Sequence, residues 1–224
     1  MSVTSDVVFF LDVDNTLIDN DRITADLQKY LDREVGHESC KRYWAIFEKL
    51  RNKTGYADYL GALQEYRTVA AHETAVLKVS FFMVDYPFAN RLFPGSLDVI
   101  EHLRQWGQPV ILSDGDVVFQ PRKVQRSGLW EAVEGHVLIY IHKDEMLPDV
   151  EKRYPARHYV MVDDKLHILA AMKKHWGKRL TTIFPKQGHY AKDPKILKSN
   201  PPADITIERI GDLTGYDLPA LMKS

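Results

Sequence analysis

Cysteine occurs once in the chain, at Cys40, so no internal disulfide framework can form and a reducing compartment is the natural setting. A lone thiol can be reactive, but in a helical stretch it reads as a small packed side chain. An excess of either charge is also missing. Lysine and arginine number 30 against 31 aspartates and glutamates, which leaves no broad basic field for nucleic acid and no acidic solvating tail. No apolar run reaches the length of a membrane span. Met1 to Asp6 lacks the basic residues and long apolar stretch of a signal peptide. Internal repeats and low-complexity segments are absent. Disulfide-stapled secreted folds, membrane proteins and nucleic-acid binders are thereby disfavoured, and a cytoplasmic enzyme or binding protein is the expectation.

What is present is an ordinary globular composition, 45% apolar and 27% charged over 224 residues. That is enough for one large domain, or for a core with a smaller insertion. Short apolar segments that stop at polar residues read as strands. They are Val7 to Leu11 running into Asp12, Pro109 to Leu112 running into Ser113, and His136 to Ile141. His158 to Val162, running into Asp163, and Leu180 to Phe184 follow, with a weaker segment at Asp204 to Ile207. Several are continuous rather than alternating, as parallel strands covered on both faces require. Helical patterns fall between them. Leu97, Ile100, Leu103 and Trp106 recur before Gly107; Leu166, Leu169, Met172 and Trp176 recur before Gly177; Val117 to Arg126 gives a third. Alternating strands and helices predict a doubly wound α/β layer with a parallel sheet.

One interval breaks the alternation. Roughly eighty residues separate the first strand from Pro94, far more than a connection needs. They carry helical stripes: Ile23, Leu27, Tyr30 and Leu31; Tyr43, Phe47 and Leu50; Tyr56, Tyr59, Leu60, Leu63 and Tyr66; and Val69, Val76 and Leu77. A helical subdomain inserted after the first strand is the simplest account. Its aromatic residues read as core rather than as a ligand box.

The strand ends carry the chemistry. Asp12-Val13-Asp14-Asn15-Thr16 follows the first strand directly. A turn that satisfies its own backbone explains one such residue, but two carboxylates at the mouth of a sheet also suit a hard cation and a covalent nucleophile. Ser113 closes the second strand and offers a hydroxyl to a phosphoryl oxygen. Lys143 is the first cation after the third strand, with His142 its rival. Asp163-Asp164 ends the fourth, where two adjacent acids repel unless a cation or donors compensate. In open α/β sheets ligands bind at these carboxyl ends, so the coincidence across four strands outweighs any one motif.

With these residues in place, the chain resembles the haloacid dehalogenase superfamily. Its phosphatases carry D-x-D-x-T, a serine or threonine, a lysine and a terminal acidic pair at successive strand ends. The resemblance covers essentially the whole chain. It implies a Rossmann-like doubly wound parallel-sheet core at 1–17 and 93–224, with an all-helical cap at 18–92. It implies that Asp12 attacks phosphorus and that Asp14 serves as acid and then base. Ser113 and Lys143 would hold phosphoryl oxygens, and Thr16 would position the loop or merely cap it. Magnesium would sit on the Asp12 carboxylate, the Asp14 carbonyl and Asp163, with Asp164 direct or through water. The expected partner is a small phosphorylated metabolite, with no nucleic acid and no membrane; a homodimer is left open.

Departures and alternatives accompany this reading. Many relatives have proline after the lysine, where this chain has Asp144. The acidic loop Asp114-Gly115-Asp116 is expected to face solvent. Gln187-Gly188-His189-Tyr190 is expected to be a surface turn, and Arg51, Lys53 and Tyr56 around Gly55 an interhelical turn. A phosphotransferase such as a sugar phosphomutase would keep the same residues. A 2-haloacid dehalogenase needs no metal and usually lacks the second aspartate, and a non-catalytic binding module would have kept the scaffold alone.

Overall fold

The computed structural model describes residues 5–69 and 73–217; of the expected signal-free leader, residues 1–4 lie outside them. Strand β1 (Ser5–Leu11) is followed by helices α1 (Asn20–Val35), α2 (His37–Thr54), α3 (Tyr59–Arg67) and α4 (Glu73–Asp85). The chain then alternates: α5 (Ser96–Arg104), β2 (Gln108–Asp114), α6 (Phe119–Arg126), α7 (Leu129–Ala132) and β3 (Val137–Tyr140). It continues through α8 (Leu147–Arg153), β4 (Ala156–Val162), α9 (Leu166–Trp176), β5 (Leu180–Pro185), α10 (Pro194–Ser199) and β6 (Ile205–Ile207).

The strands form one six-stranded sheet in the order β3-β2-β1-β4-β5-β6, and every pairing is parallel. The expected α/β Rossmann-like core is therefore observed. The chain winds outward from β1 to β3, then crosses back to β4 on the other side. That reversal places a topological switch point beside β1, where ligands bind in open sheets.

Strand alternation divides the core. Phe9 and Leu11 face a cluster with Val99, Ile100, Val124 and the buried residues of α1 to α3. Phe10 faces the other way, stacked on Tyr159 at 5.6 Å and Trp176 at 5.9 Å between ring centroids. Both faces are covered, which explains the continuous apolar runs.

Local signals set the helix ends. The Asp19 carboxylate accepts from the Arg22 amide at 2.9 Å and Asp58 accepts from the Gly61 amide at 2.7 Å, opening α1 and α3. Three expected stripes shift. In α5 the buried face is Ser96, Val99, Ile100 and Leu103, whereas Leu97 stands exposed because it lies about 100° off that stripe and Trp106 is exposed in the turn beyond the helix. Helix α6 starts at Phe119, since the Asp116 carboxylate caps it by accepting from the Val118 and Phe119 amides; Val117 is left 88% exposed. Of the fourth stripe in the insertion only Val76 is buried, and Val69 lies outside the helix. Cys40 is buried in α2 with its Sγ on the Gln28 carbonyl, and burial followed by nearby Asp32 pushes its thiol pKa up. Among the described residues, no helix is long and apolar enough to cross a membrane.

Candidate active site

Each polar strand end opens into one crevice. The Asp12 amide extends the β1–β4 ladder to the Val162 carbonyl at 3.0 Å, and the Asp163 amide extends β4 towards the Ile183 carbonyl at 3.2 Å. Backbone pairing thus fixes where both carboxylates leave the sheet. After Asp12 the chain folds tightly, with Leu17 and Ile18 both donating to the Val13 carbonyl and Asn15 at a φ of 59°.

Around Asp12 the expected residues converge. Lys143 Nζ lies 2.5 Å from Asp12 Oδ1 and 2.7 Å from Asp163 Oδ2, and it donates to the Leu112 carbonyl at 3.3 Å. Ser113 Oγ is 3.5 Å from Asp12 Oδ1. Thr16 Oγ1 accepts from the Asp164 amide at 3.1 Å and lies 3.4 Å from Asp12 Oδ2, joining the first loop to the last. Asp12, Ser113, Lys143, Asp163, Asp164 and Thr16 are all buried. Asp14 is different: its side chain is 26% exposed and borders the cleft. Lys143, not His142, therefore occupies the position beside Asp12.

Asp12, Asp163 and Asp164 each place a carboxylate oxygen within 4.8 Å of the others. Both oxygens of Asp164 are buried without a hydrogen-bond donor, and Asp163 Oδ2 is buried against the Lys143 ammonium at 2.7 Å. Burial, partly offset by Lys143, pushes Asp163 up to about 6. Burial again, reinforced by Asp163 and Asp12, holds the Asp164 carboxyl well above its usual range. For Lys143 burial acts downward, but Asp12, Asp163 and Asp114 outweigh it and hold the ammonium well above its ordinary value. An all-oxygen set of buried carboxylates, with Asp164 wholly orphaned, fits a hard divalent cation, which would supply the missing partner.

Further residues join that sequence reasoning placed elsewhere. The acidic loop is engaged rather than solvated: Asp114 Oδ1 accepts from the Lys143 amide at 2.8 Å, and Asp114 Oδ2 lies 3.9 Å from Lys165 Nζ. The segment after β5 is a turn with His189 exposed, but it borders the cleft and is anchored by Gln187. Gln187 is buried, donates to the Thr16 carbonyl at 3.0 Å and accepts from the Ile210 amide, while His189 Nδ1 meets Asp21 Oδ1 at 2.6 Å. The turn after α2 reaches the site as well. Arg51 Nη2 donates to the Tyr190 hydroxyl at 2.9 Å, and Gly55 packs on the His142 ring. Trp44, Phe47, Tyr56 and Tyr59 line the cleft with these residues, so part of the aromatic stripes forms a wall around about 690 Å³ rather than core alone.

Two residues of α6 also escaped the sequence reading. Gln120 Nε2 donates to Ser113 Oγ at 3.0 Å, and Lys123 Nζ lies 2.6 Å from Asp14 Oδ1. The signal was that both fall on the same face of α6 as Phe119 and Val124, where a polar residue must find a partner.

Comparison with known proteins agrees with this geometry. The family model for haloacid dehalogenase-like hydrolases matches residues 7–175. A protein of Burkholderia xenovorans LB400 assigned to the haloacid dehalogenase-like hydrolases has 63% sequence identity and a TM-score of 0.91, covering 95% of this chain and 99% of that one. The hydrolase YfnB from Bacillus subtilis, solved bound to magnesium, is 16% identical with a TM-score of 0.64, covering 95% and 98%. The L-2-haloacid dehalogenase of Xanthobacter autotrophicus is 16% identical with a TM-score of 0.59, covering 94% and 97%. These last two share the fold. No curated protein matches the chain. The chain belongs to the haloacid dehalogenase-like hydrolase family, and is a hydrolase.

Proposed function

We propose that the chain is a magnesium-dependent phosphatase that hydrolyses a small-molecule phosphate monoester through a phosphorylated Asp12. The observation that carries the reading is the buried trio Asp12, Asp163 and Asp164, gathered within 4.8 Å with both Asp164 oxygens lacking any donor, an arrangement that calls for a cation. A dehalogenase-type displacement gives no reason for that expense of buried charge. Asp12, Asp163 and Asp164, with the Asp14 main-chain carbonyl, would hold the magnesium. When bound it would offset the charge of the phosphoryl group and orient it.

The chain's own residues carry the steps. An Asp12 carboxylate oxygen forms a bond to phosphorus as the bond to the ester oxygen breaks. Asp14, which borders the cleft, gives its proton to that departing oxygen. It then takes a proton from a water that attacks phosphorus, the Asp12–phosphorus bond breaks, and inorganic phosphate leaves. Ser113 and Lys143 steady the phosphoryl oxygens, and Lys143 compensates the Asp12 charge before and after transfer. Helices α1 to α4 act as a cap over a cleft sized for a small phosphorylated metabolite.

The test is phosphate release from p-nitrophenyl phosphate and a panel of phosphorylated metabolites with magnesium, alongside Asp12→Asn. Wild-type turnover abolished in that variant is expected. Undiminished activity in the variant would remove the nucleophile. Phosphoryl transfer without free phosphate would favour a mutase, and halide release from 2-chloropropionate in chelator would favour a dehalogenase.

A further inference from the structure

A lysine with no exposed surface lies behind the catalytic loop. Lys123 comes from the middle of α6, and its Nζ meets Asp14 Oδ1 at 2.6 Å and Asn20 Oδ1 at 3.0 Å, 5.1 Å from the centre of the Phe119 ring. Burying an ammonium is costly unless it is paired and hydrogen-bonded, so its presence on the packed face of α6 requires the Asp14 contact. Asp14 in turn is the one acid of the four whose carboxylate stands apart from the buried trio. Its side chain borders the cleft, partly exposed, while Asp164 reaches the cleft only as a buried residue and Asp12 and Asp163 lie beneath.

We infer that Lys123 is a positioning residue, which holds the Asp14 carboxylate out of the cation cluster and at the cleft wall, where the departing oxygen of the substrate must sit. The inference rests on the phosphatase reading and adds to it the residue that aims the acid. The geometry supports it in two ways. Asp14 opens the tight turn and lies two residues from Asp12, so an untethered carboxylate has the buried trio within reach as a more attractive neighbour once a cation is bound. Lys123 supplies the competing charge on the opposite side. Asn20, the first residue of α1, shares the same ammonium and ties the anchor to the start of the helical insertion. Lys123 never touches the substrate; it holds Asp14 by Oδ1, which leaves Oδ2 to carry the proton that the departing oxygen takes.

Two variants with the same loss of charge separate aiming from general electrostatics. Lys123→Met keeps an unbranched side chain of similar size and removes every donor, whereas Lys123→Gln retains a donor for Asp14. Proton delivery matters most for poor leaving groups. For Lys123→Met, kcat is expected to fall roughly a hundredfold on an alkyl phosphate, with KM nearly unchanged. On p-nitrophenyl phosphate, whose phenolate departs without help, the loss is expected to be roughly tenfold or less. Lys123→Gln should recover part of the alkyl phosphate activity. Equal losses on both substrates, or equal losses in both variants, would overturn the inference and leave Lys123 as a packing or electrostatic residue. Thermal melting of both variants ensures that folded protein is compared. The wild-type control keeps the two readings distinct. No phosphate release by wild-type protein removes the phosphatase reading together with this inference, whereas an active wild type and an unaffected Lys123→Met remove the role of Lys123 alone.

Discussion

Lys143 sits wholly buried between Asp12 and Asp163, with its amide on Asp114 and its ammonium on the Leu112 carbonyl. Three buried acids, once ionised, outnumber the one lysine between them, and the lysine is what makes the cluster tolerable before any cation arrives. Breaking such an arrangement from one side strands the remaining charges, at a cost of about 3–5 kcal/mol. Lys143→Met should therefore lower unfolding free energy by about that amount in chelator. Magnesium should restore more stability to the variant than it adds to wild type, since it replaces the missing positive charge. Urea titrations of both proteins, with and without magnesium, check this. A variant as stable as wild type in chelator would mean that the acids are neutralised elsewhere. Turnover should be lost in either case, because Asp12 would be both uncompensated and misdirected.

At the scale of elements, the turn between α2 and α3 brings the insertion against His142, the residue next to Lys143. Gly55 ends α2 at a φ of 79°, and a Cβ there would fall 2.6 Å from His142 Cε1. The left-handed backbone costs a side chain roughly 1–2 kcal/mol. The ring of His142 can swing aside, so the clash should alter the cleft more than the fold. Gly55→Ala is expected to raise KM about tenfold with a stability loss of about 1–2 kcal/mol; steady-state kinetics and urea unfolding measure the two effects separately. An unchanged KM would place this turn away from the substrate. The same turn marks where the sequence stops being informative. Strand ends were legible because Leu11, Leu112 and Val162 close continuous apolar runs that only doubly covered strands need, and the next residue is polar each time. Their convergence followed from the parallel order of the sheet. Gly55 against His142, and Arg51 against Tyr190, join residues 87 and 139 positions apart, respectively, with no local pattern to link them. Lys123 was hidden for another reason: a cation on an amphipathic helix is normally solvated, and only its packed neighbours reveal that it is not. The outer face of α4 shows the converse, since Leu77 and Phe81 are apolar yet exposed, and periodicity does not say which side finds a partner.

For the whole molecule, the acidic centre couples stability to both pH and cation. Asp163 is pushed up to about 6 by burial and Asp164 is raised in the same direction, so the metal-free fold holds protons that the unfolded chain has already released. A carboxyl raised in this way contributes stability that is fully present below its unfolded value of 3.8 and is lost as pH rises through about 6. The metal-free protein should therefore lose stability between about pH 4 and pH 7, by on the order of 3 kcal/mol from Asp163 alone. Carboxylates held low by their partners, such as Asp26 against Tyr86 and Arg91, pull the other way only at more acidic pH, below the window that separates the two forms of Asp163. Magnesium reverses the slope, because a cation binds the ionised acids and must displace their protons. The melting temperature in chelator should fall from pH 5 to pH 7.5, and the rise on adding magnesium should grow over the same range. Thermal melting on a grid of pH and magnesium concentration reads both trends. A magnesium-induced shift that is equal at pH 5 and pH 7.5 would mean that the cation binds without releasing protons, and that the buried acids of this sheet are already ionised without it.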